Sequence, residues 1–150
     1  MAEPTSHYLI IDARFYKDIA DELVRGAGAA LESASATWDR ISVPGVLEIA
    51  PALSMAIAAM DEGGPKYDGF VLLGCVIRGE TSHYDIVANE SARAIMVLAI
   101  DECLAVGNGI LTVENDKQAW ARAKISELNK GGGAAKAALA MARVRTELGL

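Results

Sequence analysis

Three features of the chain predict a three-layer α/β/α fold around a parallel sheet of four strands. Short runs rich in aliphatic residues alternate with longer helical patterns in the order β-α-β-α-β-α-β-α-α, and such alternation requires right-handed crossovers between parallel strands. The run from Asp68 to Ile77 is almost wholly apolar, as in a strand covered by helices on both faces. Polar turns follow the strands, at the carboxyl ends where open α/β sheets take their ligands.

Met1 to Ser6 reads as a polar tail with Pro4, mobile or lying on a neighbour. Tyr8 to Ala13 is the first strand and Arg14-Phe15-Tyr16 the turn after it. Lys17 to Ala34 is a helix, because Ile19, Ala20, Leu23, Val24, Ala27, Ala30 and Leu31 share one face. Thr37 to Val43 alternates weakly and reads as the second strand. Pro44-Gly45 forces a turn. Pro51 suits the first turn of a helix, where its missing N–H costs nothing. That leaves Val46 to Ala50 in a loop and places the helix at about Ala52 to Glu62, stopped by Gly63-Gly64-Pro65. Strand three ends at Ile77, and a helix runs from Tyr84 to Leu104. Gly107-Asn108-Gly109 reads as a turn before a fourth strand, Ile110 to Val113. Asn115 with Gln118 three residues on has capping-box spacing and starts a helix reaching about Leu128. Lys130 and three glycines break it, and an alanine-rich helix from Ala134 to Leu148 closes the chain.

Composition narrows the function. With 150 residues, 52% of them hydrophobic, the chain can form one domain with a real core. A net charge of −6 without a basic cluster argues against nucleic acid as the main partner. An anionic small molecule is compatible, because local amides and an arginine outweigh a global charge. Cys75 and Cys103 lack metal-ligand spacing and read as two reduced core thiols. No apolar run reaches the length of a membrane span and no signal peptide is visible, so a cytoplasmic location is expected. P-loop, dinucleotide and nucleophile-elbow motifs are all missing.

What remains converges on the strand ends. Phe15 follows strand one, and Val46, Leu47 and Glu48 follow strand two. Arg78 to His83 follow strand three, Glu114 and Asn115 follow strand four, and Arg122 lies two turns into the next helix. Gly79 allows close backbone approach, and the amides of Glu80, Thr81 and Ser82 sit at a helix start that can hold an anion. His83 supplies an imidazole, the side-chain type best suited to proton transfer near neutrality. Such a set suits a phosphorylated small molecule beside a planar heterocycle. Each residue also has a bland reading. Phe15 fits a core or edge aromatic, Glu48 a cap or surface acid, and His83 a satisfied helix-start histidine. Arg122 fits a partner of Glu127 or Asp116, and Lys130 a charge at a helix C-terminus.

At these residues the chain resembles the lumazine synthases of riboflavin biosynthesis. Val76-Ile77-Arg78-Gly79-Glu80-Thr81-Ser82-His83-Tyr84-Asp85, continued by Asn89-Glu90, is similar to their long signature. Val43-Pro44-Gly45 with Glu48 and Pro51, Arg14-Phe15, Gly109 to Asn115, Ala119 to Ala123 and Asn129-Lys130-Gly131 match further blocks in order. The resemblance implies a flavodoxin-like fold. It also implies condensation of 5-amino-6-(D-ribitylamino)uracil with 3,4-dihydroxy-2-butanone 4-phosphate, without metal or organic cofactor. By position, Phe15 stacks on the pyrimidine. Val46, Leu47 and Glu48 line the uracil and ribityl pocket over Cys75, Val76 and Ile77. Glu80 and Thr81 amides hold the phosphate, and His83 shuttles protons. Arg122 of a neighbouring subunit grips the phosphate, with Asn108 and Lys130 closing the uracil end. Tyr16, Glu80 and Asn108 depart from residues common in the family. The resemblance further implies a homo-oligomer with sites between subunits: the family forms rings of five, some members assemble twelve rings into a hollow shell, and the short tail with Pro4 favours a single ring or paired rings here. A ring protein that binds flavin or lumazine without turnover would share the scaffold. The presence of His83, Arg122 and the Gly79-Glu80-Thr81 turn favours the enzyme.

Overall fold

A computed structural model describes residues 5–150. The polar tail expected at the N-terminus therefore lies, up to Pro4, outside the described residues. The elements are β1 (His7–Ala13), α1 (Lys17–Ser33), β2 (Thr37–Val43), α2 (Ile49–Asp61), β3 (Gly69–Ile77), α3 (His83–Asp101), β4 (Val106–Val113), α4 (Asp116–Ala123) and α5 (Lys130–Glu147). The strands form one parallel sheet in the order β2-β1-β3-β4. The expected α/β/α layering is present.

Strand alternation divides the core between the two faces. Tyr8, Ile10, Val71 and Leu73 pack against Leu23, Ala27 and Leu31 of α1 and Ala134, Ala135 and Ala138 of α5. Leu9, Ile11, Phe70 and Leu72 pack against Ile49 and Leu53 of α2 and Val87 and Ile95 of α3. Both edge strands stay partly open. β2 is exposed along most of its length, and β4 turns Asn108 and Thr112 to solvent.

Four boundaries differ from the sequence expectation. Val46–Glu48 is a 3-10 turn that runs straight into α2 at Ile49, rather than an open loop ending near Ala52. Pro51 still falls within the first helical turn, where its lack of an N–H is harmless. Gly107-Asn108-Gly109 is strand, not turn. A side chain at Gly107 would overlap the Ala134 carbonyl of α5, so this glycine lets helix and strand approach closely. Lys130 and the three glycines open α5 rather than break a helix. Asn129, at φ 45°, caps the start by accepting from the Gly132 amide at 3.2 Å. Gly131 faces the Leu23 backbone of α1 at a spacing that excludes any Cβ. α4 stops at Ala123 rather than near Leu128, and Lys124–Asn129 forms the turn between the two helices. Cys103, expected in the core, is exposed at φ 52° where the chain leaves α3, whereas Cys75 is buried.

Candidate active site

A cleft of about 380 Å³ opens at the carboxyl ends of β1 and β3. It lies between the 3-10 turn and the start of α3. Phe15, Val46, Leu47, Glu48, Cys75, Val76, Ile77, Thr81 and His83 all line it, as the sequence predicts. Tyr16, Gly45, Tyr84 and Val87 line it too and went unassigned from sequence. Tyr84 and Val87 could have been found from helical spacing, because residues 83, 84 and 87 of a helix share one face.

The Arg14 amide bonds to the Val43 carbonyl at 2.9 Å and extends the β1–β2 ladder into the turn that carries Phe15. The Phe15 ring is 73% exposed, touching Tyr16 edge-on at 4.9 Å. A ring left this open is not a core residue, and it presents a flat apolar face at the cleft. Glu48 makes no capping bond at the start of α2, so the cap reading fails as well. The floor is apolar. Burial, with a smaller contribution from Asp116, pushes the Cys75 thiol up to about 12, so it stays protonated and cannot serve as a nucleophile.

The turn from Gly79 to Ser82 leads into a 19-residue helix. Among the described residues, the amides of Gly79, Glu80, Thr81 and Ser82 have no protein partner, while the His83 amide donates to Thr81 Oγ1 at 3.3 Å. Free amides at the positive end of a long helix form an anion site. Gly79 and Thr81 line the cleft, whereas Glu80, expected there from sequence, is not among its lining residues. The His83 ring is exposed and makes no hydrogen bond among the described residues, contrary to a satisfied histidine.

Asn108, Arg122 and Lys130 are not in this cleft. They share a second one, of about 470 Å³, along the free edge of β4. Among the described residues Arg122 donates only to the Gln118 carbonyl, at 3.1 Å, and pairs with neither Asp116 nor Glu127, the latter lying near Lys124 instead. Lys130 is the first residue of α5, not a charge at a helix C-terminus. A cation there opposes the macrodipole, typically by about 0.3–1 kcal/mol, and none of the described residues pairs with it. Among the described residues no three His, Cys, Asp or Glu side chains converge as metal ligands, and no helix is long and apolar enough to cross a membrane.

Fold and cleft together define a class: parallel α/β proteins that present free amides at a helix start beside an exposed aromatic plane. The family model described as 6,7-dimethyl-8-ribityllumazine synthase matches residues 5–146, and the chain belongs to that family, transferases of riboflavin biosynthesis. It is 62% identical to 6,7-dimethyl-8-ribityllumazine synthase 1 of Rhizobium meliloti, over 95% of this chain and 94% of the relative. It is 59% identical to the 6,7-dimethyl-8-ribityllumazine synthase of Agrobacterium fabrum, over 99% of both chains. The Bartonella henselae protein of the same name is 57% identical over 95% of this chain and 90% of its own.

Proposed function

We propose that this chain, working as one domain, condenses 5-amino-6-(D-ribitylamino)uracil with 3,4-dihydroxy-2-butanone 4-phosphate to 6,7-dimethyl-8-ribityllumazine, releasing phosphate and water. One observation carries the proposal: an exposed aromatic ring, an unpaired imidazole and a turn of free amides share a single cleft. Phe15 stacks on the pyrimidine, and Val46, Leu47 and Glu48 hold the uracil and its ribityl chain over Cys75, Val76 and Ile77. The amine attacks the ketone to form a Schiff base with loss of water. Phosphate then leaves into the Glu80 and Thr81 amides, and the ribitylamino nitrogen attacks the carbonyl that results, closing the ring with loss of a second water to give the product. His83 moves protons in both stages. Much of the acceleration comes from holding two reactants together, which removes the entropic cost of their meeting.

Arg122, Asn108 and Lys130 complete the cleft of the adjoining protomer in a ring of five. Their grouping on the β4 edge, away from their own chain's cleft and without ion-pair partners, supports that arrangement. A guanidinium opposite the amides stabilises the departing dianion. The phosphorylated substrate is charged and impermeant, which puts the reaction in the cytoplasm. The test is incubation with both substrates, following lumazine absorbance and free phosphate. Equal amounts of the two are expected, and the absence of lumazine refutes the proposal.

A further inference from the structure

Arg78 immediately precedes the turn of free amides, and its side chain contacts three residues, two at the start of α3 and one just after β4. Its backbone amide bonds to the Val113 carbonyl at 2.9 Å, which extends the β3–β4 ladder by one residue. Its guanidinium lies 4.1 Å from the centre of the Tyr84 ring. Nε reaches the Glu114 carboxylate at 3.0 Å, and Nη1 reaches Asp85 at 3.4 Å. Tyr84 and Asp85 belong to the first turn of α3, and Glu114 follows β4, next to the Asn115 cap of α4.

We infer that Arg78 is a positioning residue: it closes the base of the Gly79–His83 turn and so holds the phosphate-binding amides in register. The inference rests on the condensation reading above. Residues 78 and 84 bracket the turn, and one side chain stacked on Tyr84 ties those two ends together. The same guanidinium pairs with both Asp85 and Glu114 and offsets one of their two negative charges beside a site that must accept a dianion. Without it, the turn is free to splay and both carboxylates repel the phosphate. Lysine cannot replace this arrangement, because a point charge cannot face a ring and fork between two carboxylates at once. The Arg78 side chain is 40% exposed, and pairs this open contribute little to stability, so its removal leaves the fold intact.

The experiment compares wild type, Arg78→Ala and Arg78→Lys by steady-state kinetics and by calorimetric titration with inorganic phosphate. For Arg78→Ala, the KM for the butanone phosphate and the Kd for phosphate should each rise about tenfold, as expected for a weakened charge-assisted contact. The KM for the uracil substrate should stay within about twofold, and Arg78→Lys should recover only part of the loss. A lower kcat with both KM values unchanged would indicate fewer folded molecules and overturn the inference. Full rescue by lysine would overturn it too. If wild type makes no lumazine, the condensation reading fails by itself and the titration decides the positioning role. A weaker Kd in Arg78→Ala then supports it, and equal behaviour, including no binding by either protein, overturns it.

Discussion

The Arg40 guanidinium grips the fully buried Asp12 carboxylate through two hydrogen bonds, of 2.9 and 2.8 Å. Ser42 Oγ donates to the same carboxylate at 2.7 Å. Arg14 and Arg40 also share Asp21, at 2.6 and 3.0 Å, and their bonds hold its carboxyl below the usual range. This network joins β1, β2 and α1 directly beneath the turn that presents Phe15.

Replacing Arg40 with alanine strands a carboxylate inside the fold. Breaking a buried pair costs about 3–5 kcal/mol, and here Ser42 and the more distant Arg14 offset part of that, so the loss should be near 3 kcal/mol. Urea unfolding at fixed protein concentration, with unchanged m, measures it. A loss below about 1 kcal/mol would mean that Asp12 is satisfied by its remaining partners.

Phe15→Ala should separate binding from stability. The ring is too exposed to support the core, so unfolding should shift by no more than about 0.5 kcal/mol. Stacking a planar heterocycle on an aromatic ring contributes about 1–3 kcal/mol, so the KM for the uracil substrate should rise at least about fivefold. An unchanged KM would remove the stacking role.

Arg122→Ala should lower kcat/KM for the phosphate substrate by roughly 30–100-fold, the value of a hydrogen bond to a charged group. The shared-site arrangement makes a sharper prediction. Arg122→Ala and His83→Ala chains, unfolded together and refolded as a mixture, should regain activity well above either variant alone. Random pairing around a ring leaves about a quarter of the sites with both residues intact. No recovery would place both residues of a working site in the same chain.

Alkaline pH should destabilise the protein through Cys75 and Tyr67. Burial raises Cys75 from 9.0 to about 12 and, with help from Asp39, raises Tyr67 from 10.0 to about 12. Between those values the unfolded chain has released protons that the folded chain retains. Stability is therefore complete below pH 9 and declines as pH climbs toward 12. Urea midpoints at pH 8 and pH 10.5 should show the fall, and Cys75→Ala should reduce it. At pH 8 iodoacetamide should label Cys103 and spare Cys75 in the native protein, because burial keeps the Cys75 thiol protonated and inaccessible. Equal labelling of the two would contradict the packed floor of the cleft.

Local sequence pattern determined the alternation of strands and helices, the parallel sheet and most of the cleft. Hydrophobic period is a local property, and the Val76 to Asp85 block carries turn, helix start and imidazole in one short stretch. Glycines misled wherever their reason was remote. Gly107 and Gly131 read as chain breakers, yet each sits inside a regular element pressed against the backbone of α5 or α1. The Asp12–Arg40 pair spans 28 residues and had no local trace. The resemblance assigned Arg122, Asn108 and Lys130 to a neighbouring subunit's site, and the tertiary structure decided where they sit: together on the β4 edge, outside the cleft that holds His83. Spacing along a chain says which face of an element a side chain occupies, whereas the packing of elements decides which faces meet, and here it leaves those three residues on an open sheet edge.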